Sequence, residues 1–566
     1  MSVSDRNILL VTLHAKYAHA SLALPCLAAC CRDLAGVRVS ILELTVNEPR
    51  QQLLRRIMAE QPGMVAFSCY IWNIETTLRL AADIKQVAAD TLVVLGGPEV
   101  SFGVFELMHA NPAVDFVVKG EGERPFRQLL EALDGKQALD GIENLFHRDN
   151  GDIVAGLSGN QRPALEMIPS PFLAGLVDMD KPLTYYETSR GCPFSCAFCL
   201  SSVEGQVRSF PMARIESDLA WLMEREVRQV KLVDRTFNYD ARRADQIWNF
   251  ILDHNRVSHF HFEIAADLLT EDNLALLRRV PAETFRFEIG VQSASAETLL
   301  QVNRRADLQK IFDNVRRLRE DTAIELHLDL VAGLPGEDYD GLLSSLQAVA
   351  GLKPHVIQLE PLKLLKGAPM REIADRLGYR YSAAPPYTIL TTPWLGYGDI
   401  CRIEDVGRLL DLFYNQGGFA AALDFMLERM DFAELFDRMA RAAQGMDLCG
   451  RSTRRLYELF AELAGPLLSA ADRLLLYDAL FFDYCRNEMP QQGRLPVFIA
   501  GRQHDCRWPV LRDLPEGIAL PEGSRVRGFR FSFLHDYRLD GTVAAPVDVT
   551  FVYVAGQGRG LQVRVL

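Results

Sequence analysis

Three cysteines crowd the stretch TYYETSRGCPFSCAFCLSS, residues 184–202, at Cys192, Cys196 and Cys199. Their spacing is C-x3-C-x2-C. A structural zinc site wants four ligands, usually as paired cysteines with a second pair further on. A bacterial ferredoxin run also supplies four. Here no fourth ligand is near: the next cysteine downstream is Cys401 and the next histidine is His254. Three thiolates on a 4Fe–4S cluster leave one iron without a protein ligand, and that iron can bind a small molecule.

The elements around the loop read as repeated βα units. Candidate strands fall at 184–189, 229–234, 260–266, 285–291, 324–331 and 356–360, separated by helical stretches such as PMARIESDLAWLMERE. Six such units predict an incomplete (β/α)6 barrel, with chemistry at the carboxyl ends of its strands. The cysteine loop follows the first strand, at such an end.

Ahead of it, residues 1–140 alternate buried-strand runs (7–13, 37–44, 64–70, 91–97, 115–120) with amphipathic helices, predicting an α/β doubly wound parallel sheet. Its ligand site lies beyond the strand ends, where LGGPE and KGEGE fall. Residues 141–180 read as a connector, with an Asn-Gly hairpin in LFHRDNGDIVAG. The barrel domain is expected over 181–375. A C-terminal domain of unknown function follows over 376–566, helical at 400–490 and β-rich at 495–566.

The chain has 566 residues, a formal net charge of −13 and 11 cysteines. The charge argues against a nucleic-acid backbone as main partner. No apolar run reaches the roughly 18–20 residues of a membrane helix, and the N-terminal residues lack a secretory pattern. The expectation is a cytoplasmic protein whose clustered cysteines bind metal. Cys26 and Cys30 in CLAACC, and the isolated Cys69, Cys401, Cys449, Cys485 and Cys506, read as ordinary residues.

Cys192, Cys196 and Cys199, with Phe198 before the last of them, resemble the signature of the radical S-adenosylmethionine (radical SAM) superfamily. The resemblance implies a 4Fe–4S cluster whose open iron chelates S-adenosylmethionine, and reductive cleavage to methionine and a 5′-deoxyadenosyl radical. LVDRTFN and FEIGVQS resemble later strand-end segments. They imply Asp234 near the methionyl amino group, and Glu288, Gln292 and Ser293 at the cofactor's ribose and carboxylate. HLDLVAGLPGE and LEPLKLLKGAPM resemble the fifth- and sixth-strand segments. His327 and Asp329 could point into the barrel, as substrate contacts or as core residues.

A parallel domain directly before such a barrel resembles the cobalamin-binding domain of cobalamin-dependent members. The resemblance places Ser68, Gly96, Gly97, Gly120 and Glu121 at cobalamin. Other cobalamin proteins carry D-x-H-x-x-G after the first strand. TLHAKY has His14 at the matching offset but Thr12 and Tyr17 in place of the aspartate and glycine. A metal-bound histidine needs an acceptor to fix its tautomer, and Thr12 is a poor one, so a cobalt without a histidine ligand is expected. A nucleotide-binding or flavodoxin-like module is the rival, though no G-x-G-x-x-G or G-x4-G-K-[ST] motif occurs.

The function implied is a cobalamin-dependent radical SAM methyltransferase acting on an unactivated carbon. The alternatives are a rearrangement or cyclisation without methylation, and a non-catalytic corrinoid or iron–sulfur sensor. The implied partners are a small-molecule or peptide substrate and an electron donor such as flavodoxin or ferredoxin. The C-terminal third is expected to close the barrel mouth or shape the substrate pocket.

Overall fold

The structure is a computed structural model that describes residues 7–159, 162, 164–203, 205–490, 495–500, 525–538, 546–555 and 561–566. Cys506 lies outside the described residues.

Five parallel strands form the first sheet: β1 (Asn7–His14), β2 (Arg38–Thr45), β3 (Met64–Ser68), β4 (Leu92–Gly96) and β5 (Phe116–Val118), in the order β2-β1-β3-β4-β5. β1 and β3 are apolar on both faces because helices cover both sides. α1 (Ala23–Cys31) and α5 (Glu123–Leu133) enclose one core with Ile8, Leu10 and Ala66. α2 (Arg50–Ala59), α3 (Ile74–Val87) and α4 (Val104–Ala110) enclose the other with Leu9, Val11 and Phe67. The expected hairpin is β6 (Leu145–Asp149) and β7 (Asp152–Ala155). Its turn residues Asn150 and Gly151 take φ of 47° and 95°, as a two-residue hairpin turn demands. It does more than connect: β6 pairs antiparallel with β5. The first sheet therefore has seven strands and runs to Ala155, covering an edge that β5 would leave unpaired.

The second sheet begins with β8 (Thr184–Tyr186). A small ribbon of β9 (Ser189–Arg190) and β10 (Arg208–Ser209) interrupts it, and β11 (Gln229–Leu232), β12 (His259–Ile264), β13 (Phe285–Gln292), β14 (Glu325–Ala332) and β15 (Val356–Pro361) complete it. The order β15-β14-β13-β12-β11-β8 is parallel and stays open between β8 and β15. Helices α6 (Met212–Glu224), α7 (Ala241–His254), α8 (Glu271–Leu277), α9 (Ala296–Gln301), α10 (Leu308–Asp321) and α11 (Tyr339–Ala350) lie outside. Asp240, Thr270, Ser295, Asp307 and Asp338 cap the N-termini of all but α6. Along β13 the buried Phe285, Phe287, Ile289 and Val291 alternate with the half-buried Arg286, Glu288, Gly290 and Gln292. The apolar set faces the helices and the polar set faces inward, so this barrel encloses a polar chamber rather than a side-chain core.

Both open edges are covered. Beside β8, Leu183 N–H donates to Ala18 O from the loop after β1. Beside β15 lie α12 (Met370–Leu377), a ribbon of β16 (Arg380–Tyr381) and β17 (Ile389–Thr391), and α13 (Tyr397–Leu409), which continues into a π-helical turn over Leu410–Tyr414. Asn415 then offers its amide as a strand would: its Oδ1 accepts from Ile357 N–H at 2.9 Å and its Nδ2 donates to Ile357 O at 3.0 Å. α14 (Ala420–Leu427), α15 (Phe432–Ala443), α16 (Thr453–Ala464) and α17 (Ala470–Asn487) follow, and their apolar faces share the barrel's core. The short α18 (Val497–Ala500) and an antiparallel sheet of β18 (Arg525–Phe533), β19 (Val547–Ala555) and β20 (Gln562–Val565) end the chain. The C-terminal third thus closes one side of the barrel. Among the described residues, no helix is long and apolar enough to cross a membrane.

Candidate active site

The cysteine loop leaves the carboxyl end of β8 through Gly191. At φ +95°, a Cβ there would lie 2.5 Å from Gln206 O, so only glycine fits the crossing. Backbone contacts then hold the loop from two sides. Ala197 N–H donates to Val302 O at 2.8 Å, and Met370 N–H donates to Ala197 O at 2.9 Å. Asn303 Nδ2 donates to Ser195 Oγ at 2.7 Å. All three thiols are free; Cys196 is buried, Cys192 and Cys199 half-buried. Burial pushes the Cys196 thiol up, and Arg304 pulls it back by donating to Sγ at 3.6 Å. The other guanidinium nitrogen of Arg304 donates to Gly290 O.

The donor set fits a cluster. Three free thiols share one loop, the donor set of a cluster with one iron left open.

The residues expected at S-adenosylmethionine divide. Phe198 is half-buried within the loop itself, and Gln292, at φ 70°, sits where the β13–β14 register breaks beside Arg304. The other three are held by the chain's own side chains and backbone. Asp234 is fully buried, and its carboxylate accepts from Thr188 N–H at 2.9 Å, Thr188 Oγ1 at 2.5 Å and Ser189 Oγ at 2.5 Å. Burial raises its pKa against those donors. These bonds root the cysteine loop. Ser293 is also fully buried and donates to Glu337 Oε1 at 2.6 Å. Glu288 lies mid-strand, accepting from Lys231 Nζ at 2.8 Å, with His261 Nε2 2.9 Å away. Although burial opposes it, contact with His261 and Lys231 holds this carboxyl well below the usual range.

Charged residues that spacing did not point to join the two domains. Arg190, two residues before Cys192, contacts Glu187 at 2.6 Å, Glu123 at 2.6 Å and Glu121 at 3.1 Å. Arg208 also pairs with Glu121. The KGEGE segment is therefore clamped to the root of the cysteine loop. Elsewhere Glu99, buried after β4, takes Lys366 at 2.8 Å and the Tyr387 hydroxyl, and the His19 ring meets the Tyr185 hydroxyl.

In the first domain, Ser68 ends β3 and is buried, with its carbonyl accepting from Asn73 Nδ2 at 3.0 Å. Gly96 ends β4. Gly97, at φ +106°, would drive a Cβ to 2.7 Å from Cys69 O, so its close approach is to the chain's own backbone. Gly120, at φ +75°, has open space where a Cβ would point, and its N–H donates to Ser101 Oγ at 3.0 Å. Trp72 is 46 % exposed at the end of this sheet, stacked on Tyr70 at 4.4 Å and tied through Nε1 to Leu13 O at 3.0 Å. A held but uncovered indole and a glycine with open space, both at this end of the sheet, fit a large planar ligand. His14 is buried and has a proper acceptor after all: Glu43 Oε2 of β2, at 2.7 Å, which also accepts from Ser21 N–H at 3.1 Å. The acceptor stands on the neighbouring strand rather than at Thr12 of the histidine's own.

Comparison with known proteins agrees with this arrangement. Residues 8–130 match the B12 binding domain, residues 186–349 the radical SAM superfamily, and residues 375–507 a protein of unknown function (DUF4080). The 2-(S-pantetheinyl)-carbapenam-3-carboxylate methyltransferase of Streptantibioticus cattleyicolor is 28 % identical over 374 residues, 59 % of this chain and 51 % of that protein. The cobalamin-dependent radical SAM methyltransferase TokK of Streptomyces tokunonensis is 27 % identical over 51 % of this chain and 45 % of its own length. The chain thus spans about half the length of these relatives. A structure of the radical S-adenosylmethionine methyltransferase TsrM from Kitasatospora setae, with cobalamin and a [4Fe-4S] cluster bound, superposes with a TM-score of 0.59 at 19 % identity, over 78 % of this chain and all of that one. It shares the fold.

Proposed function

We propose that this chain, a member of the radical SAM superfamily with a B12 binding domain ahead of its barrel and a DUF4080 region behind it, is a cobalamin-dependent methyltransferase acting on an unactivated carbon. One observation carries the reading: three free thiols stand on one loop, and Arg190 ties the root of that loop to the cobalamin-type domain. When bound, the cluster supplies the electron that cleaves S-adenosylmethionine to methionine and a 5′-deoxyadenosyl radical, and the corrinoid supplies the methyl group.

The chain's own residues hold and exclude. Cys192, Cys196 and Cys199 hold the cluster, and Arg304 favours the Cys196 thiolate while fixing the loop to β13. Phe198 and Gln292 border the S-adenosylmethionine position. Ser68, Gly120 and Trp72 shape the corrinoid cradle, with Glu121 and Arg190 fixing its distance from the cysteine loop. The covered barrel edges keep water and stray hydrogen donors from a reactive intermediate. The substrate is a small molecule or peptide that enters the polar chamber, a flavodoxin or ferredoxin delivers the electron, and the cytoplasm is the compartment.

Product mass tests the outcome. With a reductant and S-adenosylmethionine, methylation adds one CH2 to the substrate. A product with no such gain would contradict methylation and favour ring closure or rearrangement.

A further inference from the structure

The proposed reaction leaves one cluster of side chains in the barrel unused. His261 on β12, Glu288 on β13 and His327 on β14 project from neighbouring strands, and one ligand-type atom from each lies within 4.8 Å of the other two. All three are half-buried. His261 Nε2 is 2.9 Å from Glu288 Oε2, and His327 Nε2 is 3.1 Å from Asp329 Oδ1. The His261–Glu288 separation is that of adjacent ligands on one ion, since two bonds of about 2.1 Å at a right angle span about 3.0 Å.

We propose that His261, Glu288 and His327 form a binding site for a divalent first-row transition-metal ion. Two imidazoles and one carboxylate suit iron(II), cobalt(II) or zinc(II), and three protein ligands leave coordination positions open. Asp329 Oδ1 lies 3.1 Å from His327 Nε2 and would orient that ring if its other nitrogen took the ion. Lys231 competes for the Glu288 oxygen. An ion displaces an ammonium from a carboxylate only if the lysine has another partner, and Glu263 Oε1, 3.9 Å from Nζ, provides one.

The site is placed to matter. Glu288 pairs in register with His327 and precedes Gly290 by two residues, roughly 7 Å along the strand. Gly290 O is held by Arg304, which also reaches Cys196. The ion therefore lies one layer of side chains from the strand ends, where an open position could take a substrate oxygen. The proposal does not depend on the cluster or the corrinoid.

The test uses the full chain with Cys192, Cys196 and Cys199 all changed to Ala, stripped with chelator and titrated with cobalt(II). The expected result is one cobalt per chain with visible d–d bands and no thiolate charge-transfer band. His261→Gln and His327→Asn should each weaken binding at least about tenfold, with circular dichroism unchanged. Lys231→Met should tighten it by removing the competing cation. If the triple-alanine chain does not fold, the cluster-loaded wild type is titrated instead and cobalt is counted above iron. Binding that is absent, or unchanged in the His261→Gln/His327→Asn double variant, overturns the proposal.

Discussion

At the scale of single residues, the most informative contact is Arg304 on the Cys196 thiol. The nucleophile and metal ligand is the thiolate, and burial alone would hold this sulfur protonated. Arg304→Leu removes the charge that counters burial, so the thiol pKa should rise, and each unit of rise cuts the thiolate fraction about tenfold near neutral pH. Cluster reconstitution in this variant should be several-fold slower at pH 7 and recover toward pH 8.5, followed as iron and sulfide per chain. An unchanged rate at both pH values would show that Arg304 does not activate Cys196. The cysteines were legible because three thiols within eight residues stand out in any sequence. Arg304 was not, because it lies 108 residues from its partner. The bonds of Asp234 to Thr188 and of Ser293 to Glu337 were not legible for a related reason: a strand-end polar residue looks the same in sequence whether it faces a ligand or ties down its own chain.

At the scale of elements, helices and strands follow from periodicity and capping, and the strands of both sheets were readable within a few residues. How the barrel's last strand is finished was not, since Asn415 replaces a missing strand with one side chain. Asn415→Ala orphans the N–H and carbonyl of Ile357, and should lower stability by about 1–3 kcal/mol, measured as the denaturant midpoint of the barrel transition. No change would mean that water replaces the amide fully. Gly407 belongs to the same joint: a Cβ there would meet Leu359 O at 2.7 Å, so α13 can press against β15. Further on, Asp483 caps α14, accepting from Ala421 N–H at 3.1 Å and Ala422 N–H at 2.9 Å. Burial pushes its carboxyl up to about 7 against those two donors. The folded state then binds this proton more tightly than the unfolded state, whose carboxyl titrates near 4. Its stabilising contribution is complete below about pH 4 and is lost as pH rises through about 7. Between pH 5 and pH 8 the wild type should therefore lose more thermal stability than Asp483→Asn, compared by melting temperature. Parallel pH profiles would refute a raised Asp483.

At the scale of the molecule, three sequence regions act as one body because charged side chains bind them across long separations. Arg190 gathers carboxylates from both the first sheet and the barrel, and Glu99 draws in Lys366 and Tyr387 from the segment after β15. A net charge of −13 does not reveal this, because ion-pair partners depend on folding that composition cannot express. The fold classes were legible because each domain has its own period; the joints between them were not. The account rests on an iron left open by three cysteines. Anaerobic reconstitution of the full chain with iron and sulfide, followed by dithionite and S-adenosylmethionine, tests it most directly. The account predicts 5′-deoxyadenosine from the wild type and none from Cys196→Ala. Equal nucleoside from both proteins, or zinc in place of iron and sulfide at that loop, would contradict it.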